Sequence, residues 1–522
     1  MTTQQGEAAW AYHNATKHSP ESIRTNRHYM DWANQPMPYK VIENLEPMPL
    51  PRELRASSHP ALASIAGHGP DRPPQAITSD DLTNLCFFSG GITKFLTHGA
   101  EQRPFRAAAC TGALYHIEFY ILCGDIPGLS AGVYHFGVHD FALRRLRAGD
   151  YRRVLVEATG GEPSVAGAPV VFLFTTTYWR NAWKYQARAY RHAFWDSGTI
   201  LANFLAAATG NVWPAKLVMG FADEPVARLL ALNREKEATV ALVPLGAGAD
   251  APPEPPPVGG LSITLMPLSA SEVDYPAIRA MHAASSLASG EAVKAWRGAP
   301  PPVIAPPPKG RLFPLAPLDE RAVEDPVERV IMKRGSSRRF EREAITFAQL
   351  SACLRAATGG IAADYLEPLG ATTSDLYLIV HAVDGLPSGS YYYRRGEGAL
   401  EQLTEGDYRD TAGFLGLGQE LSADASADVF FLTDLRRVLA RFGDRGYRAA
   451  QMEAGIAGGR LYLSAYAQGF GASGLTFFDD EVTAFFSPHA EGKSVMFLVA
   501  LGVPGRRRVE AAPAHFVRKT AS

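Results

Sequence analysis

An excess of charge of either sign is missing from this sequence: 51 Lys and Arg stand against 53 Asp and Glu, a net charge of −2, with no block of like charges. Without a basic stripe the chain does not read as a nucleic-acid binder or as a polybasic membrane-surface protein. A long hydrophobic run is missing too. The longest clean apolar stretch, about ten residues near 494–503, is roughly half of what a membrane-spanning helix needs. The first residues are polar, with no basic segment leading into an apolar one, so no secretion signal is legible. Cysteine is scarce, and Cys86, Cys110, Cys123 and Cys353 include no CxxC pair. That pattern excludes a disulfide framework and a structural zinc site, expects no bound metal, and fits a reducing cytoplasm. Cys86, Cys123 and Cys353 are expected as buried small apolar residues. Cys110 stands apart because of its loop.

What is present is ordinary globular composition, 46% hydrophobic and 20% charged over 522 residues, too long for one typical domain. Proline-rich stretches at 252–257 and 300–308 bracket a segment expected to hold one helix over 270–296. Residues 251–309 therefore read as a connector between two large halves. The halves are related. Gly128-Leu129-x-x-Gly132-Val133-Tyr134 matches Gly385-Leu386-x-x-Gly389-Ser390-Tyr391 at an offset of 257. The same offset carries Gly149-Asp150-Tyr151-Arg152 onto Gly406-Asp407-Tyr408-Arg409, Tyr190-Arg191 onto Tyr447-Arg448, Gly198 onto Gly455, and Asp223-Glu224 onto Asp480-Glu481. One register held this long identifies a tandem duplication.

Each half alternates in the same way: a helix (80–88; 347–356), a strand (118–123; 376–380), a short aromatic strand (132–136; 389–393) and a buried strand (170–175; 429–433). An amphipathic helix and a closing strand (240–245; 495–501) follow. This predicts an α+β layered domain, twice, associated as an internal pseudo-dimer with a cleft at its twofold. The boundaries read as an extension over 1–75, a first domain over 76–250, the connector over 251–309 and a second domain over 310–522.

The halves differ where chemistry would sit. Before the second half's first core helix lies Arg334-Gly335-Ser336-Ser337-Arg338. In an extended segment residues two apart share a face, so Arg334, Ser336 and Arg338 are expected to project together as a phosphate cradle. Arg506 and Arg508 repeat the spacing after the final strand. The first half's counterpart, 67–74, has no such cradle, so the basic cluster is not something the fold requires.

With these motifs the chain resembles the nitroreductase family of flavin enzymes, and within it the SagB/ThcOx-type dehydrogenases that include the azoline oxidases. The resemblance covers nearly the whole chain, including Tyr12-His13-Asn14-Ala15-Thr16-Lys17-His18-Ser19. It implies FMN, with Arg334, Ser336, Arg338 and Arg506 or Arg508 at the phosphate. It implies that the loop Ala109-Cys110-Thr111-Gly112-Ala113 contacts the ring, and that backbone at Leu475 or Thr476 contacts flavin N5. Lys184-Tyr185 is similar to the acid/base pair of azoline oxidases, and the second half has Arg441-Phe442 in its place. The first half keeps the loop and the second keeps the cradle, so one FMN per chain is expected.

The resemblance implies removal of hydride and proton from a ring carbon beside N or S, in a small molecule or peptide, with oxygen as the electron acceptor. Two other readings stay open: an NAD(P)H-dependent nitro or quinone reductase, and a flavin-free scaffold subunit of a biosynthetic complex. The chain is expected to act without nucleic acid or membrane, as a monomeric pseudo-dimer or a homo-oligomer.

Overall fold

Two sets of short apolar runs, each broken by Gly-containing turns, become two antiparallel sheets. A computed structural model describes residues 5–98, 101–505, 512–513 and 517–519 of the chain. In the first half the strand order is Pro47–Pro49, Ala142–Ala148, Gly132–Gly137, Ile117–Cys123, Val170–Thr177, Glu237–Leu245. In the second it is Leu312–Pro314, Ala399–Glu405, Gly389–Arg394, Asp375–Val380, Ala427–Thr433, Ser494–Pro504. The orders are the same. The second sheet gains Phe340–Glu341 at its edge and Gly471–Gly474 beside the last strand. The α+β class and the doubled unit expected from the sequence are thus observed.

Each sheet carries one long helix, Ala189–Gly210 or Arg445–Ala467, buried along almost its whole length. Their apolar residues are not confined to one stripe, which is the signature of a helix enclosed on all sides. The helices cross where the repeat has its paired glycines. A Cβ on Gly198 would lie 2.5 Å from the carbonyl carbon of Gly455, and one on Gly455 would lie 2.9 Å from Phe194 O. Only glycine permits that approach. One continuous core runs through both halves as a result.

The crossing is closed by charged side chains. Arg188 and Arg191 grip Asp479 at 3.0 and 2.6 Å, and Arg445 and Arg448 grip Asp223 at 2.6 and 2.8 Å. All six are buried. The N-terminal helix Glu7–Ala15 caps the axis: the Tyr12 ring stands edge-on to both Tyr190, at 5.9 Å, and Tyr447, at 5.8 Å. Arg191 also donates to the His13 carbonyl at 2.5 Å.

Two local expectations are corrected. The clamps pair Asp223 with Asp479 rather than with Asp480, which is exposed and bound to Lys17. The first half carries one residue more between Met219 and Asp223 than the second does between Thr476 and Asp479. The connector helix over 270–296 is two helices, Pro276–Ala284 and Gly290–Trp296. Pro276 starts the first, where its missing N–H costs nothing, and Ser289 caps the second by accepting from the Ala292 amide. Among the described residues no helix is long and apolar enough to cross a membrane.

The two arginines hold the buried Asp479 carboxyl far below the usual carboxylate range, against a burial effect that pushes it up. Because its folded value is depressed, the stabilisation is present above the ordinary Asp range and is lost as pH falls through and below it. Asp479→Ala strands two buried guanidinium groups and is expected to cost about 3–5 kcal/mol, read as a lowered urea midpoint.

Candidate active site

The two halves meet in a cavity of about 290 Å3. The first half supplies the loop residues Cys110, Thr111 and Gly112, together with Lys184 and Tyr185, and the second supplies Ser336, Arg338, Leu475 and Thr476. A second cavity, of about 510 Å3, shares Cys110, Ser336 and Arg338 with the first and continues beneath residues 333–339 to Gly505. Arg506 and Arg508 lie outside the described residues.

The loop 110–113 is tight because it has to be. Gly112 has φ +63°, and a Cβ there would lie 2.8 Å from the Tyr185 hydroxyl. Asp196, inside the first long helix, holds the loop by accepting from the Thr111 amide at 2.9 Å and the Thr111 hydroxyl at 2.8 Å.

Lys184 and Tyr185 end the helix Tyr178–Tyr185. The Lys184 ammonium lies 5.3 Å from the Tyr185 ring centroid, and the ring stands edge-on to His192 at 4.5 Å. Burial lowers the Lys184 pKa, and Arg103 and Arg338 lower it further. Burial raises that of Tyr185, and the charge of Asp196 adds to the rise. The lysine is thereby brought toward neutrality while the phenol stays protonated.

After Tyr185 the chain turns through Gln186 at φ +49°, ψ −140°, a region that side chains avoid. The second half takes the same turn at Gly443, with φ +61° and ψ −159°. The unusual backbone therefore belongs to the fold. Only the half that carries Lys184 and Tyr185 makes it with a side chain, held by a hydrogen bond from Asn26 at 3.1 Å.

Arg334, Ser336 and Arg338 line the second cavity together, with different partners. Arg334 is buried and donates to the carbonyls of Ala107 at 2.9 Å, Arg106 at 3.1 Å and Gly335 at 3.0 Å. It clamps one half to the other. Arg338 stays exposed, and Ser336 Oγ lies 3.4 Å from the Tyr462 hydroxyl. Lys94 of the first half adds a cation that the sequence did not suggest, packed on the Arg334 carbonyl at 2.7 Å with its pKa lowered to about 8 by burial and by Arg334.

Leu475 and Thr476 are also separated in role. The Leu475 amide donates to the Leu498 carbonyl at 3.1 Å, whereas the Thr476 amide takes no part in the backbone pairing of the described residues. The Thr476 hydroxyl is buried without a partner among them.

The opposite cleft shows what fills such a place. There the Val218 amide donates to Leu242 at 2.8 Å, as Leu475 does to Leu498, so Met219 is the counterpart of Thr476. The Met219 amide is taken by Asp364 Oδ1 at 2.9 Å, and the Gly220 amide by Oδ2 at 2.8 Å. Trp296 from the connector packs 5.2 Å from Phe442 and 6.1 Å from Tyr365, and its indole N–H donates to the Phe442 carbonyl at 2.9 Å. Arg441, which replaces Lys184, is spent on the carbonyls of Trp296, Arg297 and Ala299.

Sequence reasoning missed Asp196, His192, Trp195, Tyr462 and Phe497 in the first cavity. Asp196 had a signal: an acid at the same offset in both long apolar helices, matched by Glu453. The aromatic residues had none, being indistinguishable from core.

The nitroreductase family's sequence profile matches residues 105–247 and 331–503, more than half of the chain and once in each half. A solved structure from Anabaena variabilis, named as a nitroreductase, is 26% identical, with a TM-score of 0.75 over 96% of this chain and 100% of that one. A Methanocaldococcus jannaschii protein named as nitroreductase MJ1384 is 25% identical over 170 residues, 33% of this chain and 81% of that protein. The trifolitoxin-processing protein TfxB of Rhizobium leguminosarum bv. trifolii is 33% identical over 153 residues, which are 28% of this chain and only 41% of TfxB.

Gln186→Gly should relieve the strained turn and raise stability by about 1 kcal/mol, measured by urea unfolding. An unchanged or lower midpoint would show that the Asn26 bond outweighs the strain.

Proposed function

The chain belongs to the nitroreductase family, and from that premise we propose that it is an FMN-dependent oxidoreductase with one FMN per chain, bound in the cleft that carries Lys184 and Tyr185. The observation that carries this reading is the contrast between Thr476 and Met219. Among the described residues, one cleft leaves a buried hydroxyl and an amide without partners, and in the other the equivalent amide is capped by Asp364 and the space is taken by Trp296. These residues fit a flat cofactor with acceptor atoms along one edge.

In this reading the Thr476 amide and hydroxyl hold the acceptor edge of the ring. Residues 109–113, whose small side chains permit close approach, would hold the ring. Ser336 and Arg338 take the phosphate, aided by Lys94 and, after Gly505, by Arg506 or Arg508, while Arg334 and Leu475 position the backbone around them. FMN, when bound, supplies the hydride acceptor. The chain's own part is to orient the substrate and to move a proton. Lys184, whose pKa is lowered by burial and then by the Arg103 and Arg338 charges, accepts the proton lost alongside the hydride when it is in its neutral form. Tyr185, kept protonated, donates a hydrogen bond that fixes the substrate atom or passes the proton onward.

The partial similarity to a protein named for trifolitoxin processing supports a substrate from that kind of biosynthesis. We take this to be a C–N or C–S ring such as a thiazoline or oxazoline, in a peptide or small metabolite. The similarity to a protein named as a nitroreductase supports a second reading, reduction of nitro or quinone compounds by NAD(P)H. The two separate simply: addition of NAD(P)H without oxygen bleaches the bound flavin only under the second.

The visible spectrum, with flavin released by denaturation and counted, should give one FMN per chain. Two would refute the plugged cleft, and none after reconstitution would leave a scaffold. Arg338→Ala should lower FMN retention at least about tenfold, the usual scale for losing a charge-assisted phosphate contact. With a competent substrate, Lys184→Met should lower the flavin-reduction rate at least about a hundredfold, as for other general bases. The wild-type rate should rise with pH through a midpoint below lysine's usual value of about 10.4. A wild-type rate in Lys184→Met would exclude the lysine as the base.

A further inference from the structure

The duplication supplies an internal control for the cavity wall. Asp196 and Glu453 occupy equivalent positions in the two long helices, and each anchors the loop in front of it. Glu453 accepts from the Thr373 amide at 2.8 Å and from the hydroxyls of Thr372 and Thr373. Asp196 does the same with one oxygen, Oδ1, which takes both donors of Thr111. Anchoring a loop therefore requires a carboxylate and threonine, and nothing more.

The first half adds two groups on the other oxygen. Asp196 Oδ2 accepts from the Cys110 thiol at 3.1 Å and from His116 Nε2 at 2.8 Å. His116 is fully buried, with Nδ1 2.8 Å from Thr176 Oγ1, and the Tyr115 amide donates to Cys110 Sγ at 3.1 Å. The strand registers place Thr373 where the first half has His116. Neither thiol nor imidazole is needed to hold the loop, yet both converge on one oxygen at the wall of the cavity, which Cys110 and Asp196 help to line.

We propose that Cys110, Asp196 and His116 form a proton relay at the cavity wall that takes up a proton from the cavity, holds it and returns it. Its purpose rests on the oxidoreductase reading, since a reaction that removes a proton with each hydride needs a place to hold that proton until it leaves through the cavity. In the step, a proton leaving its donor in the cavity adds to Cys110 Sγ while the original thiol proton passes to Asp196 Oδ2. One bond to the donor and one S–H bond break, one S–H and one O–H bond form, and no electrons are gained or lost. His116 keeps its Nε2–H on the same oxygen and holds the neutral carboxyl in place until the reverse transfer returns the proton.

The charged and titratable groups that face the thiol are Asp196, Arg106, Tyr115 and Tyr185, and those that face His116 are Asp196 and His192. Burial, and after it the Asp196 charge, keeps the thiol protonated.

The test uses the full chain as purified, before FMN loading, and follows the S–H stretch of Cys110 by infrared difference against Cys110→Ala. The relay predicts a band displaced by hydrogen bonding that shifts on acidification together with the appearance of a protonated-carboxyl band, both lost in Asp196→Asn. Iodoacetamide labelling of Cys110 should be at least about tenfold faster in Asp196→Asn, because the carboxylate no longer opposes the thiolate. Asp196→Glu, carrying the acid of the other half, should keep the displaced band and replaces the amide variant if that one does not fold. A band indifferent to pH and to Asp196→Asn overturns the relay. So does the absence of any S–H band, which would mean a thiolate bound to a divalent cation with Asp196 and His116. A chain that takes up no FMN defeats the proposed function and leaves the titration of the unloaded protein to decide the relay.

Discussion

Everything in this molecule depends on how closely two helices can approach at one point. At Gly198 and Gly455 there is no room for a methyl group on either side, so the sheets behind the helices are brought near enough to share a core. Crossings without side chains at the contact let backbones approach, but they leave little side-chain interdigitation to fix the angle. The angle here is fixed just outside the contact by two Arg–Arg–Asp clamps, each reaching from a long helix of one half to a short helix of the other. A buried ion pair contributes modest net stability, and its removal is costly because of what it leaves unpaired. The clamps thus act as geometric stops more than as adhesive.

Around this symmetric centre the periphery is asymmetric. The clamps, the glycines and the paired tyrosines occur in both halves, whereas the residues that line the clefts do not. In the plugged cleft the backbone donor at Met219 and the cation at Arg441 are consumed by the protein itself. In the open cleft, among the described residues, the equivalent donor at Thr476 has no partner, and Lys184 lies among cations without a carboxylate partner. One set of backbone positions therefore serves as packing in one place and as a binding surface in the other. The difference rests on side chains brought in by the connector and by residues 364–365.

Much of this was legible in the sequence. The repeat register gave the doubled α+β fold and set Gly198 against Gly455, because an offset that persists can only reflect one backbone used twice. The strand runs were found nearly to their ends, since continuous apolar stretches bounded by turns have few alternatives. The cleft was legible only as a set of residue types. Period-two reasoning put Arg334, Ser336 and Arg338 together, and all three line one cavity, but it could not show that carbonyls of the other half, distant in sequence, hold the Arg334 guanidinium. Leu475 and Thr476 could not be told apart, because which amide is free depends on the partner strand. Trp296 as a plug, and His116 on Asp196, were invisible for the same reason: each contact joins segments whose spacing carries no pattern.

The turn after Tyr185 shows what fusion of the two copies allows. In an assembly of identical subunits any substitution appears at both symmetry-related places, so a residue must suit each of them. Here Gln186 and Gly443 occupy one backbone conformation with different residues, and each can be changed without the other. The covalent link lets the two positions differ: one holds a costly side chain while its twin holds glycine, the residue that the backbone prefers.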